Sequence, residues 1–164
     1  MIRTVAIAVF ILLAPCSITL GDESRDAVAA SIGTSPLKVH AVGAQIYDCK
    51  ADAGGHLMWT FREPVASLMS GGKTVGRHYA GPAWEMADGS LVVGKVVAKA
   101  PGLSTADIPW LRLALSERKG EGSLKDVTTV QRIATEGGNR DGPCPAEGAV
   151  AAQPYAADYI FSRP

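Results

Sequence analysis

Apolar residues recur at every second position through much of the chain, the period of a half-buried β-strand. Gln45, Tyr47 and Cys49 share one face, with Ala44 and Ile46 on the other. Leu57, Trp59 and Phe61 alternate in the same way, as do Leu111, Leu113 and Leu115, and later Tyr155, Tyr159 and Phe161. Val127 to Thr135 is rich in β-branched residues and reads as another strand. No long amphipathic helix interrupts this pattern, and the absence of strand–helix alternation sets aside a Rossmann-type sheet.

Glycine and proline divide the apolar runs. Pro36 opens Leu37–Val42, and Gly43 separates that run from Ala44–Cys49. Ala53-Gly54-Gly55 is a turn, and Pro64–Met69 is expected to be one helical turn or a crossing loop, ended by Gly71-Gly72. Pro109 has no N–H to give a ladder, so it fits only the start of the strand through Trp110 and Leu115. Asp88-Gly89, between Trp84-Glu85-Met86 and Leu91-Val92-Val93, predicts a two-residue type I′ hairpin joining strands Ala83–Ala87 and Ser90–Lys99. Glu136 to Gly148 is a long loop carrying Cys144. The expected fold is all-β: a single-domain antiparallel β-sandwich or barrel of about eight short strands over residues 36–164. Residues 22–35, polar and small, precede it as a flexible N-terminal arm or a short helix.

The first residues read as an address. Arg3 gives a positive start, and Val5 to Ala14 is an unbroken apolar run, too short to span a bilayer and suited to a signal peptide over residues 1–21. Pro15 directly before Cys16 departs from a lipoprotein site. The chain is therefore expected to be exported, periplasmic or extracellular, with no membrane span after cleavage. Losing Cys16 with the leader leaves Cys49 and Cys144, and two cysteines in an exported chain are expected to form one disulfide. No Cys-x-x-Cys spacing supports a redox pair.

About 140 residues then remain, enough for one domain with a real core. Sixteen basic and sixteen acidic side chains balance in the whole chain, and no basic stripe points to nucleic acid. His40, His56 and His78 lie in separate segments without His-x-His or His-Glu-x-x-His spacing, so neither a metal nor another cofactor is expected. No serine sits in a Gly-x-Ser-x-Gly turn, and no glycine pair is followed by the Lys-Ser/Thr of a phosphate loop.

Gly76 to Gly94 is the densest stretch in unusual choices. His78, Tyr79, Trp84, Glu85 and Asp88 are the candidate ligand-binding residues, since aromatic rings beside polar groups suit planar ligands. His78 with Glu85 or Asp88 is also a candidate acid–base arrangement, and a glycosidase-type carboxylate pair among Glu85, Asp88 and Asp158 stays open beside it. The competing reading is a histidine that caps a turn and bonds the backbone. Trp59 and Trp110 read as core.

Several ordered motifs then carry a resemblance. Gln45-Ile46-Tyr47-Asp48-Cys49, Trp59-Thr60-Phe61-Arg62-Glu63-Pro64, and Gly76-Arg77-His78-Tyr79-Ala80-Gly81-Pro82-Ala83-Trp84-Glu85 with Asp88-Gly89-Ser90 resemble the DUF3455 family. Ile108-Pro109-Trp110-Leu111, Gln131-Arg132-Ile133, Cys144 and Tyr155-Ala156-Ala157-Asp158-Tyr159-Ile160-Phe161 continue it. The resemblance runs from about Leu37 to Phe161. It implies one β-rich domain of a kind exported by bacteria and fungi, and it supplies no catalytic residue. Three functions stay open: non-catalytic binding of a small molecule or cell-envelope component near His78–Glu85, a hydrolase or metal-assisted enzyme using His78, and a structural or protein-interaction module without a pocket.

Overall fold

Strands that bury one face and stop at glycine or proline pair with their chain neighbours, and here the last strand also returns to the first. The computed structural model describes residues 20–30 and 33–164. Most of the expected leader lies outside those residues; only Leu20 and Gly21 fall within them, as the start of a helix. The strands are β1 (Thr34–Ala51), β2 (Leu57–Ser70), β3 (Lys73–Tyr79), β4 (Ala83–Met86), β5 (Leu91–Ala100), β6 (Trp110–Lys119), β7 (Thr129–Gly137) and β8 (Val150–Arg163). All neighbours are antiparallel, and β8 pairs with β1 from Thr34↔Arg163 to Asp48↔Val150, closing a barrel.

Closure fixes which residues meet inside. Along β1, Val39, Ala41, Gln45, Tyr47 and Cys49 are buried while Lys38, His40 and Val42 face out. Trp84, Leu68, Leu113, Val130 and Phe161 fill one end of the barrel, and Leu124 and Val127 of the β6–β7 connection pack into the same core. Trp84 meets Tyr159 and Phe161 edge-on at 5.3 and 6.1 Å. Burial of such large side chains supplies the main driving force for folding.

The chain departs from the sequence expectation at three places. Gly43 does not end a strand. It lies inside the long β1, where a Cβ would come 2.1 Å from the Val65 carbonyl oxygen, so the glycine allows β1 and β2 to approach closely. Pro64 does not begin a helical turn or loop but lies within β2. Ile46 pairs with Glu63 and Tyr47 with Phe61, which leaves Arg62 as an extra residue, and a bulge of this kind is where a sheet accepts proline. The Asp88-Gly89 hairpin is not type I′. Gly89 N–H donates to Met86 O, Met86 N–H donates to Ser90 O, and only Gly89 takes positive φ, so this is a three-residue turn ending in a left-handed glycine.

The N-terminal arm contains a short helix, one of its two expected forms: α1 (Leu20–Ala29), with Asp22 and Glu23 in its first turn, where they complement the helix dipole. The helix lies on the outside of β5, β6 and β7. Val28 is buried there, and Arg25 donates to Gly102 O. The Arg112 guanidinium donates to the carbonyls of Ala27, Val28 and Ala30, and the Gln131 amide to those of Val28 and Ala30. These side chains satisfy carbonyls that a helix C-terminus leaves orphaned. No helix among the described residues is long and apolar enough to cross a membrane.

Cys49 and Cys144 are joined, with Cα atoms 5.7 Å apart. The bond holds the β7–β8 loop over the end of the barrel opposite the aromatic core. Met58 and Pro143 form a bridge there, and Trp59 N–H donates to Gly142 O.

Candidate functional site

The short β3–β4 hairpin leaves one end of the barrel open. Pairing of β2 with β3 stops at Ala66↔His78, and pairing of β4 with β5 stops at Ala83↔Val93. Residues 60–65 and 95–100 therefore face each other across a gap with no strand between them among the described residues. Behind the gap is a cavity of about 640 Å³. That volume is in the range of small-molecule sites, and an eight-stranded barrel has an interior of the right width to hold one small ligand.

Three kinds of side chain line the cavity. Tyr47, Trp59 and Phe61 form an aromatic wall, Tyr47 and Phe61 meeting edge-on at 5.7 Å. Ile108, Pro109 and Leu111 lie along the wall made by β6 and the loop before it. The charged lining is mostly positive: Arg62, Lys99, Arg132 and Arg140 against Asp141. Arg62 is bridged to Asp48 and Glu63. No carboxylate among the described residues forms a salt bridge with Lys99, Arg132 or Arg140. Arg132 Nε donates to Pro109 O at 3.0 Å, and the Arg140 guanidinium lies 4.5 Å over the Trp59 ring. Asn139 donates to Asp141 at 2.7 Å.

Beneath this lining are polar atoms without well-aligned partners. Gln45 Nε2 and the hydroxyls of Tyr155 and Tyr159 are buried and make no hydrogen bond of normal geometry. They interact with one another and with Arg132 through weakly aligned contacts, Gln45 with Tyr155, Tyr155 with Tyr159, and Tyr159 with Arg132. Burial pushes both phenols up, so they stay protonated donors. Tyr47 is likewise pushed up by burial, and its hydroxyl donates to Gly138 O at 2.8 Å. Buried polar groups are ordinarily well paired, and these are paired only loosely.

The five residues singled out from the sequence divide by strand alternation. His78 and Trp84 are register partners inside the barrel, and His78 lines the cavity. The His78 Nδ1 lies 2.8 Å from Ala83 O, and burial depresses its pKa to about 4, so the ring is neutral. Tyr79 and Glu85 belong to an outer cluster: Arg77 and the Tyr79 hydroxyl both donate to one Glu85 oxygen, at 2.8 and 2.9 Å. The Arg77 bonds, and then the Tyr79 bond, hold the Glu85 carboxyl below its usual range. Asp88 accepts from the hydroxyl and N–H of Ser90 and from Ser123 N–H, which lower its pKa strongly. No hydrogen bond joins His78 to a carboxylate among the described residues. Nor do those residues contain a group of three or more His, Cys, Asp or Glu side chains placed to hold a metal.

The cavity is built mainly by residues outside that segment. Arg132 follows Val130 in phase on β7, and a cation on the inward phase of an apolar strand is the signal that would have marked it. Arg140 and Asp141 reach the lumen through the disulfide-bound loop, which strand periodicity does not address.

The sequence matches a family model described as "Protein of unknown function (DUF3455)" over residues 30–163. The chain belongs to this family. No curated protein and no solved structure matches it. The matched span of this DUF3455 domain includes every strand and the whole of the cavity lining.

Proposed function

We propose that this domain binds a small molecule, without transforming it, in the open end of its barrel. The supporting observation is the 640 Å³ cavity lined by an aromatic wall, Arg132 and Gln45, whose buried Nε2 donor lacks a partner of normal geometry. A buried donor without an acceptor costs on the order of 1–3 kcal/mol, and a bound ligand that accepts from it removes the cost. His78, from the segment first suspected, contributes one side of the lumen. Its neutral ring lacks a carboxylate partner among the described residues, which favours binding over acid–base chemistry. Export of the chain by a leader over residues 1–21 would make this ligand periplasmic or extracellular, or a component of the cell envelope.

The test is amide and indole NMR of the oxidised protein titrated with a mixed set of small aromatic and aliphatic fragments. Shifts should concentrate at Gln45, Arg132 and the Trp59 indole. Fragments that shift only the outer Arg77–Glu85 cluster, or none of these positions, would overturn the reading.

A further inference from the structure

We propose that the lumen selects a small, flat carboxylate, with its charged head on Arg132 and its apolar body along Tyr47, Trp59 and Phe61. This rests on the lumen being the binding site and adds the chemistry of what it takes.

Four observations carry the assignment. First, Arg132 lines the cavity from β7, in register with Leu111 on one side and Tyr159 on the other. It is half-buried, and its Nε is used on Pro109 O, which leaves the terminal amino groups with no carboxylate among the described residues. A half-buried guanidinium with no carboxylate partner attracts an anion. Second, Gln45 lines the cavity beside it, is 2 % exposed, and its Nε2 donor has no hydrogen-bond partner of normal geometry. A carboxylate is acceptor-only, with about four lone-pair sites, and matches a set of donors better than an alcohol or amide does. Third, Lys99 and Arg140 add two further cations at the cavity wall, against Asp141, which Asn139 already engages. Such an excess steers anions toward the opening. Fourth, the aromatic wall offers flat apolar area, and one guanidinium fork fits one planar carboxylate in two parallel bonds. A phosphate can take the same fork and is the competitor that a direct comparison must separate.

The probes are 2-naphthoate, its neutral counterpart 2-naphthylmethanol, and 2-naphthyl phosphate. Each is titrated into the native oxidised protein, Arg132→Gln and Arg132→Lys, with circular dichroism confirming that each variant is folded. Naphthoate should bind the native protein more tightly than either other probe. Arg132→Gln should weaken naphthoate on the order of 10- to 100-fold and leave the alcohol unchanged. Arg132→Lys, which keeps the charge and loses the fork, should fall between. Naphthoate and alcohol binding equally, or naphthoate indifferent to both substitutions, would overturn the carboxylate assignment and leave the lumen standing as a site. Phosphate binding more tightly than naphthoate would also overturn it. Failure of all three probes to bind the native protein would remove the assignment together with the lumen reading.

Discussion

The His78 imidazole lies flat on the Trp84 indole, with ring centroids 4.6 Å apart and planes within 9° of parallel. The two are partners across the β3–β4 pair and stand at the boundary between the packed end of the barrel and its open end. Tyr159 closes the group from the opposite side, 5.0 Å from His78. Protonating this ring would put a charge among aromatic side chains, with a half-buried arginine, Arg132, near enough to oppose it.

Stability should therefore depend on pH through His78. Its pKa falls from 6.5 to about 4 on folding, chiefly through burial. Between those values the unfolded chain takes up a proton that the folded chain refuses. The stabilisation is complete above about pH 6.5 and is lost as pH falls toward 4, by about 3 kcal/mol in all. Urea unfolding at pH 4, 5, 6 and 7 should show this slope in the native protein, and a reduced slope in His78→Phe. Identical slopes would show that the proton uptake occurs elsewhere.

The Cys49–Cys144 bond spans a sequence separation of 95 residues. In the chain-entropy model, closing so long a loop contributes on the order of 4–5 kcal/mol, less any strain in the folded state. It also anchors the loop that carries Arg140 and Asp141 to the cavity. Reduction should add two mass units and lower the urea midpoint. It should also speed hydrogen exchange at Trp59 and Cys144, whose amides bond Gly142 O and Leu57 O across this junction. Unchanged exchange there would show that the strand bridge holds the loop without the disulfide.

Gly43→Ala tests the close approach of β1 and β2. The new methyl would meet backbone, 2.1 Å from Val65 O and 2.5 Å from Ala66 Cα, so no side-chain rotation relieves it. The strands must part, at a cost of about 1–3 kcal/mol. Denaturant unfolding should show that loss without a change in slope. A variant as stable as the native chain would mean that β1 can bend away freely.

Much of the barrel is legible because its causes are local. Alternation places Tyr47, Leu113, Tyr155, Tyr159 and Phe161 inside, and Pro109 marks the approach to β6, but Trp59 and Trp110, expected in the core, are only partly buried, and Trp59 lines the open cavity. Asp88-Gly89 announces a hairpin, although the extra residue in the turn depends on how β4 and β5 pair. Gly43 and Pro64 mislead for a common reason. Each looks like a break in its own segment, and each is accommodated by a neighbouring strand that the segment does not reveal. Closure of β8 on β1 is likewise non-local. The candidate site suffers most from this. Strand phase turns His78 inward and Glu85 outward although they are near in sequence, whereas Gln45 on β1 meets Arg132 on β7 and Arg140 in the loop after it from the far end of the chain.

The helix α1 offers the last test, because its attachment is polar as well as apolar. A ten-residue helix is too short to persist in water alone, so its order depends on docking. Val28 supplies the apolar contact, while Arg112 and Gln131 together donate to the exposed carbonyls of its C-terminal end. Arg112→Ala removes three of those bonds and leaves Gln131, which stands beside it in the β6–β7 register. Hydrogen exchange across residues 22–30 should then quicken by about tenfold or more, the equivalent of 1.4 kcal/mol or more of lost docking energy. Exchange in β1 and β8 should not change, since the barrel closes without the helix. If β1 and β8 quickened together with α1, the helix and barrel would form one cooperative unit, and α1 would be part of the core rather than a docked appendage.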